Sequence, residues 1–182
     1  NKELKRMENM LNNLYIKLTT YIKDKYFNKA LQKVIDNNRS TVNWDKVEKP
    51  YCLSLDKHTL AIINNNSEVQ TIEIYKRELF NFIWVANLAL DFSNKDRRYP
   101  INSVTINDKG DHIALMHNRW YTSEVLLFHF FNNKWKHKKT FKSYEVRDKN
   151  CSISLVDIRY VEFCKHLDTK KDILAIHIKA GV

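Results

Sequence analysis

Glycine and proline are nearly absent from this sequence, with two residues of each among 182. A glycine-rich phosphate loop needs several closely spaced glycines, so Gly110 and Gly181 exclude nucleotide-binding motifs of that kind. The sequence also lacks an apolar run of about 18 residues, and residues 1–6 hold no apolar core of a signal peptide. We therefore expect no membrane partner and a location inside the cell, in the cytoplasm or the nucleus.

Cysteine and histidine are too scattered to predict a metal centre or a catalytic pair. Cys52, Cys151 and Cys164 form an odd set without a CxxC motif, which favours reduced thiols over disulfides or zinc. The seven histidines show no HxxxH or HExxH spacing, and no serine lies in a GxSxG motif. We expect no metal, no cofactor and no enzymatic activity.

Positive charge is in excess, with a net value of +10 at pH 7. Its densest run is residues 134–139, in which strand alternation predicts Lys134, Lys136 and Lys138 on one face, with Lys139 closing the run. Two interpretations fit: an edge strand whose lysines prevent strand pairing, or a contact for an acidic protein or a phosphate backbone. Lysine and asparagine also come from A/T-rich codons, so genomic base composition accounts for part of the excess, and a nucleic-acid partner is possible but not favoured.

The first 38 residues predict an α-helical lead-in. Apolar side chains recur at spacings of three and four residues, with a polar interruption at residues 23–25, so one kinked helix or two shorter helices satisfy the pattern. An apolar stripe on a lone helix gains little in water, which predicts that it packs against the later domain or an upstream segment. Residues 39–50 have no periodicity and are interpreted as a linker.

From residue 51 onward the sequence consists of short β-type runs that repeat. Three runs share an alanine between larger aliphatic residues, and each follows a polar turn: residues 60–64, 113–117 and 174–178. Residues 67–69 and 123–125 are both Ser-Glu-Val, at matching places in the first two copies. The repeat unit is four strands, which predicts two to three blades of a partial WD-like β-propeller, at about residues 51–90, 100–142 and 151–182. The fold class is thus mainly β with an N-terminal α-helical segment.

Closure of a propeller takes about four to eight blades. The third unit stops after its second strand, at Val182. We therefore expect this chain to be a fragment of a longer protein, the alternative being completion by another molecule.

The sequence resembles the junction of F-box/WD-repeat proteins in three successive runs: Asn38 to Trp44, Tyr51 to Asp56 and Val69 to Tyr75. In that family a helical linker after the F-box ends in an Arg and an Asn-Trp pair, and the first blade opens with a Cys-Leu strand. The chain departs from the family in having no Trp-Asp at a blade end and no Gly-His at a blade start. Residues 1–37 contain no F-box either, so the resemblance implies an F-box upstream of Asn1.

Aromatic side chains are the best candidates for binding, because Trp, Tyr and Arg dominate interface hot spots. Arg119, Trp120 and Tyr121 interrupt the second unit as an inserted loop, which is consistent with either a partner contact or core packing. Trp84 and Trp135 lie in strand-like runs and are interpreted as core. Together with the run Lys134, Lys136, Lys138 and Lys139, residues 119–121 are the candidate partner-binding residues.

These features favour a non-catalytic protein-protein interaction module. The family resemblance implies the substrate-receptor part of an F-box-type cullin-RING ubiquitin ligase, with protein partners that include a Skp-type adaptor and a cullin. The alternative is a propeller scaffold in a nuclear-pore, trafficking or RNA-associated assembly, whose basic lead-in and residues 134–139 contact an acidic partner. The alternative predicts steeply salt-dependent binding to nucleic acid.

Overall fold

A computed structural model of the protein describes residues 2–39, 47–64, 70–90, 101–118, 123–142 and 156–180. The described part of the chain is mainly β, with 53% strand, one N-terminal helix and antiparallel four-stranded sheets, which confirms the predicted class. The elements are α1 (Lys2–Arg39), β1 (Tyr51–Leu53), β2 (Thr59–Asn64), β3 (Thr71–Glu78), β4 (Asn81–Ala89), β5 (Ile101–Ile106), β6 (His112–Asn118), β7 (Ser123–Phe131), β8 (Lys134–Lys142), β9 (Val156–Lys165) and β10 (Asp172–Ala180).

Helix α1 is one continuous helix of 38 residues, without a break at residues 23–25. It contains neither proline nor glycine, the residues that most often interrupt a helix, and the polar residues at 23–25 do not end it. The hydroxyls of Thr19 and Thr20 donate to carbonyl oxygens one turn earlier, at 2.9 and 2.8 Å, and so remain compatible with helical backbone.

The strands form three sheets in which each strand pairs with its neighbour in sequence. Sheet 1 has the order β1-β2-β3-β4, sheet 2 the order β5-β6-β7-β8, and sheet 3 consists of β9 and β10. All pairs are antiparallel. The three alanine-centred runs of the sequence are β2, β6 and β10, the second strand of each sheet.

The helix and the sheets stack as four layers, in the order α1, sheet 1, sheet 2, sheet 3, with an apolar cluster between each pair. Successive residues of a strand face opposite sides of the sheet, so one strand contributes side chains to the clusters on both sides. In β6, Ile113 and Leu115 pack towards sheet 1, whereas Ala114 and Met116 pack towards sheet 3. Because both faces are covered, β6 is apolar at four consecutive positions instead of alternating with polar ones.

The first strands of the three sheets lie close together. Strand β5 contacts both β1 and β9, and it also contacts β2. The segment before β1 runs parallel to β5, since Lys49 and Ser103 form a parallel bridge and Val104 N–H donates to the Lys49 carbonyl at 3.2 Å. The sheets therefore approach one another most closely along their first strands.

The two tryptophans interpreted as core differ in the structure. Trp135 is half-buried and packs against the cluster between sheets 1 and 2, with its ring 5.4 Å from that of Phe130. Trp84 is 52% exposed, so its interpretation as a core residue was wrong. It lines a cleft between sheet 1 and the last turns of α1, and its indole N–H donates to Asn87 Oδ1 at 2.9 Å.

Candidate interaction surface at the hairpin turns

The hairpin turns that join the first two strands of each sheet are built alike. In each, the backbone N–H of the first residue donates to the carbonyl five residues later: Ser54 to Thr59 at 2.8 Å, Asn107 to His112 at 3.1 Å and His166 to Lys171 at 2.9 Å. We call these three turns, residues 54–59, 107–112 and 166–171, together with Asp172 directly after the third turn, the turn surface.

Each turn also uses the side chain of its first residue as an acceptor for backbone N–H groups. Ser54 Oγ accepts from Thr59 N–H at 2.9 Å, and Asn107 Oδ1 accepts from His112 N–H at 2.9 Å. His166 Nδ1 accepts from Asp168 and Thr169 N–H, both at 3.3 Å. Short polar side chains that satisfy nearby backbone groups are typical of turns, and here they fix the backbone of all three.

Direct contacts join the first two turns. Asp56 N–H donates to the Asp108 carbonyl at 3.3 Å. Gly110 has a φ of +68°, and a Cβ at this position would lie 2.2 Å from Thr59 Oγ1. Only glycine therefore permits both the left-handed backbone and the close approach of the second turn to the first.

Side chains join the second turn to sheet 3. Asn107 Nδ2 donates to Asp172 Oδ2 at 2.8 Å. Lys165 Nζ forms an ion pair with Asp108 Oδ2 at 3.0 Å and a second one with Asp172. The three turns thus form one continuous polar surface at a single end of the stacked sheets.

The carboxylates of this surface are held in their charged form by internal partners. The hydrogen bond from Lys165 holds the pKa of Asp172 below its ordinary value of 3.8, with partial burial opposing it. Burial would raise the pKa of Asp111, but hydrogen bonds from His112 and Asn107 outweigh it and lower the pKa. The pKa of Asp56 is also lowered. Burial would raise it, but the hydrogen bonds from Ser54 and from the His58 N–H outweigh burial.

The outer part of the turn surface is apolar and cationic. Leu55 is 75% exposed and Leu167 is 84% exposed, and both directly follow the first residue of their turn. Lys57, Lys109, Lys170 and Lys171 are also exposed, and no ion pair with a described residue is seen for them. The arrangement offers leucine side chains for burial and positive charge around them, which suits binding to a protein surface.

Helix α1 meets sheet 1 at the same end of the molecule. Phe27 lies beneath two cations, with Lys57 Nζ 5.3 Å and Arg77 Cζ 4.7 Å from its ring centre. The ring of the preceding residue, Tyr26, is 5.4 Å from that of Phe80 in the β3–β4 turn. The described part of the helix before residue 26 therefore extends beyond the sheets at the turn surface.

A cleft of about 420 Å³ lies between the last turns of α1 and sheet 1. Within it, Asn38 Nδ2 donates to Tyr75 OH at 3.2 Å, and Tyr75 OH donates to a carboxylate oxygen of Glu73. Burial and the bond to Glu73 raise the pKa of Tyr75 to about 12. The phenol therefore stays neutral and serves as a link between helix and sheet.

The candidate binding residues from the sequence lie elsewhere. Arg119, Trp120 and Tyr121 fall outside the described residues. The four lysines are exposed on β8, which pairs with β7 alone among the described strands. A register shift opposite Leu127 and Phe128 leaves Lys138 without a cross-strand partner, so Lys139 takes the face of Lys134 and Lys136 in its place.

Aromatic rings accompany the lysines of β8. Lys136 Nζ lies 5.3 Å from the ring centre of Phe131, and Lys139 Nζ lies 4.8 Å from that of Phe141. The turn surface, in contrast, was not predicted as a site. The repeated polar turns were visible in the sequence, but their contacts with one another depend on the stacking of the sheets.

Neither a metal site nor a membrane-crossing helix is found in the part of the chain that the structure describes. No group of three or more His, Cys, Asp or Glu side chains there has a geometry that could hold a metal ion. None of the described helical segments is long and apolar enough to cross a membrane. Comparison of the chain with protein-family models, curated proteins and solved structures finds no match. A functional conclusion for this chain therefore rests on its own residues and geometry.

Proposed function

We propose that this chain is a protein-interaction module of propeller type, with the turn surface as its binding face. The observation that carries the proposal is the contact of β5 with both β1 and β9, combined with the stacking of successive four-stranded sheets. Blades of a propeller pack face to face around a central axis with their first strands innermost. In such an arrangement the first hairpin turns of all blades gather around the axis at one face.

Binding is favoured over catalysis by the chemistry of the turn surface. Its carboxylates Asp56, Asp111 and Asp172 are bonded to neighbouring groups, which leaves them unsuited to proton transfer. Leu55 and Leu167 are exposed without a structural requirement, and exposed leucines that become buried supply binding energy. The partner is therefore a protein with an apolar patch that complements these two leucines.

Within this module we propose the role of substrate receptor in an F-box-type cullin-RING ubiquitin ligase. The support is the sequence resemblance around Trp44 and Cys52 and the direction of α1. A helix rises about 1.5 Å per residue, so the 25 residues from Lys2 to Tyr26 extend roughly 37 Å past the turn surface. A Skp-type adaptor and cullin held beyond that helix would face a target bound at the turn surface.

Affinity purification of the complete protein from its own cells tests the ligase role. We expect a Skp-type adaptor and a cullin to be recovered in stoichiometric amounts. Purification without either protein would overturn the ligase role and leave the interaction module standing.

Charged substitutions test the turn surface separately. Leu55→Asp with Leu167→Asp should remove the target protein from the purified complex while the adaptor and cullin remain. Val85→Asp is the matched control, because Val85 is a 45% exposed apolar residue on β4, outside the turns. Unchanged recovery of every partner with the double variant would overturn the assignment of the binding face.

A second candidate function is a scaffold in a nuclear-pore, trafficking or RNA-associated assembly. The observation that favours it is the shared face of Lys134, Lys136 and Lys139 on exposed strand β8, with Phe131 and Phe141 beside the lysines. Cations and rings in such a row suit the phosphates and bases of a single strand. Triple substitution of the lysines by Glu should then reduce the salt slope of RNA binding by about 2–3.

Lys109→Glu with Lys170→Glu and Lys171→Glu is the matched triple control for the RNA experiment, since all three lysines are exposed in the turns, away from β8 and α1. Equal slopes for wild type and the triple variant would remove the scaffold function on β8.

A further inference from the structure

The first part of helix α1 is exposed although it is rich in apolar side chains. Burial within the helix is confined to Phe27, Ile35 and Asn38, with Ala30, Leu31 and Val34 packed beside them. Between residues 2 and 26 every side chain is exposed except that of Thr19, which is intermediate. Most of the stability of a helix in a protein comes from packing of its apolar face, so a partner that covers this segment would stabilise it.

Six of the exposed apolar residues form a regular heptad pattern. Two sets of three recur every seven residues and are offset by three: Leu4, Leu11 and Leu18, and Met7, Leu14 and Tyr21. We call these six residues the heptad face. Their side chains are between 54% and 65% exposed. A repeat of seven gives a period of 3.5 residues, which keeps one seam directed at a partner helix in a coiled coil.

The heptad face does not continue the surface by which α1 packs on sheet 1. At about 100° per residue, its centre lies roughly 130° around the helix axis from that of Phe27, Leu31 and Ile35. Sheet 1 therefore cannot cover it by a simple extension of the existing contact. The occupant must approach from the other side of the helix.

We propose that the heptad face pairs with the same face of a second copy of this chain, as an antiparallel two-helix coiled coil. The pattern is complementary to itself in this orientation. Leu11 then lies opposite the partner's Leu14, Met7 opposite the partner's Leu18, and Leu4 opposite the partner's Tyr21. Two-fold symmetry repeats these three pairs, so all six residues of each copy are used.

Charge disfavours the parallel in-register orientation of the two helices. Leu4, Leu11 and Leu18 are the first apolar positions of their heptads. In a parallel in-register pair, the residue just before each of them faces the partner residue that lies five positions further along the chain. This places Glu3 opposite the partner's Glu8 on both sides of the dimer, and like charges there disfavour pairing. The antiparallel register separates these two residues.

The surface is large enough for a specific dimer. Covering six side chains that are more than half exposed buries roughly 600 Å² per copy, or on the order of 1,200 Å² in total, which reaches the size of specific interfaces. None of the six residues is charged, so no unpaired charge is buried.

Molar mass in solution tests the pairing. We expect sedimentation of the full 182-residue chain to give a dimer at micromolar concentration. Leu11→Lys with Leu14→Lys places four charges at the centre of the seam and should raise the dissociation constant by about 100-fold or more. Asn9→Lys with Asn13→Lys adds the same charge on the opposite side of the helix and should leave the dimer intact.

The β-sheets report whether the double variant still folds. Both leucines are exposed in the single chain, so the double variant should keep the β signal in circular dichroism and its thermal transition. A wild-type chain that stays monomeric at about 100 µM, or a double variant that dimerises like wild type, overturns the proposal.

Disulfide cross-linking tests the orientation, with Cys52, Cys151 and Cys164 replaced by Ser. In the antiparallel register Met7→Cys of one chain should cross-link to Leu18→Cys of another when the two variants are mixed. Neither variant alone should cross-link, because equivalent residues lie roughly 16 Å apart along the axis, beyond the reach of a disulfide. Cross-links within each single variant would overturn the antiparallel arrangement.

Phosphatidylcholine–phosphatidylserine vesicles provide the competing outcome. A chain that is monomeric in solution and binds these vesicles through the heptad face would assign the face to lipid and overturn the dimer. No residue of the turn surface belongs to the heptad face, so failure of the dimer and failure of the proposed function are distinguishable.

Discussion

Gly110 lets the first two hairpin turns approach each other because it has no Cβ. Thr59 occupies the space that a side chain would need, and the positive φ of Gly110 is unfavourable for any L side chain. In the sequence this glycine was one member of a polar turn, and the requirement for it was not predicted. The reason is physical, since Thr59 lies in another sheet and local turn chemistry does not reveal it.

Gly110→Ala should lower the free energy of unfolding by roughly 2–3 kcal/mol, because it combines backbone strain with a steric conflict. Urea denaturation measures the change. Lys109→Ala, at the exposed neighbouring position, should change it by less than about 0.5 kcal/mol. Equal stability of Gly110→Ala and wild type would show that the turns do not meet in this way.

Leu79 is a residue whose replacement should stabilise the protein. It is 85% exposed and has a φ of +50° in the two-residue β3–β4 turn, a conformation that leucine adopts at a cost. Leu79→Asn should raise the free energy of unfolding by about 0.5–1 kcal/mol in the same urea experiment. Leu55→Asn, at an exposed turn position without positive φ, should bring no gain.

Among the elements, the positions of the strands were easier to predict than the face on which each side chain lies. The sequence located β2, β6 and β10 because each contains a short apolar run with a central alanine, and it located α1 because helical spacing is distinct. It suggested a break at residues 23–25 that α1 does not have. It also placed Lys138 on the face of Lys136, since the one-residue register shift in β8 leaves no mark in the periodicity.

The link between sheets 2 and 3 should respond to acid. Lys165 lowers the pKa of Asp172 below 3.8 in the folded chain. A carboxyl with a lowered pKa contributes stability that is complete above its unfolded pKa and is lost as the pH falls through the folded one. Asp172→Asn should therefore be less stable than wild type at pH 7, and the difference should shrink as the pH falls below about 4.

Thermal unfolding followed over this pH range measures the effect of Asp172. Asp168→Asn, in the third turn, is the matched control and should track wild type at every pH. A difference between Asp172→Asn and wild type that is constant with pH would show that the ion pair with Lys165 does not contribute.

For the whole molecule, the shared clusters predict one cooperative unit. Ile113 and Leu115 of β6 pack towards sheet 1 while Ala114 and Met116 pack towards sheet 3, so sheet 2 cannot lose its structure alone. The number of sheets and their repeat could be predicted from the sequence. The contacts between the sheets could not be predicted. Asn107 and Asp172, for example, are 65 residues apart, and the sequence around each is an ordinary polar turn.

Leu115→Ala tests this cooperativity. Leu115 is fully buried, so the truncation should cost about 3 kcal/mol through lost contacts and a cavity. The transition should remain single and shift equally when followed by circular dichroism and by tryptophan fluorescence. Two separated transitions would mean that the sheets unfold independently. Leu167→Ala, at an 84% exposed position, should have little effect.

The order of strands also has a consequence for synthesis of the chain. Because each strand pairs with its neighbour in sequence, nearly all pairing within a sheet joins residues that leave the ribosome close together in time. Topologies of low contact order fold quickly, and domains fold as the chain emerges. Sheet 1 can thus complete its hydrogen bonds before the later sheets have left the ribosome and present a ready surface on which each of them assembles.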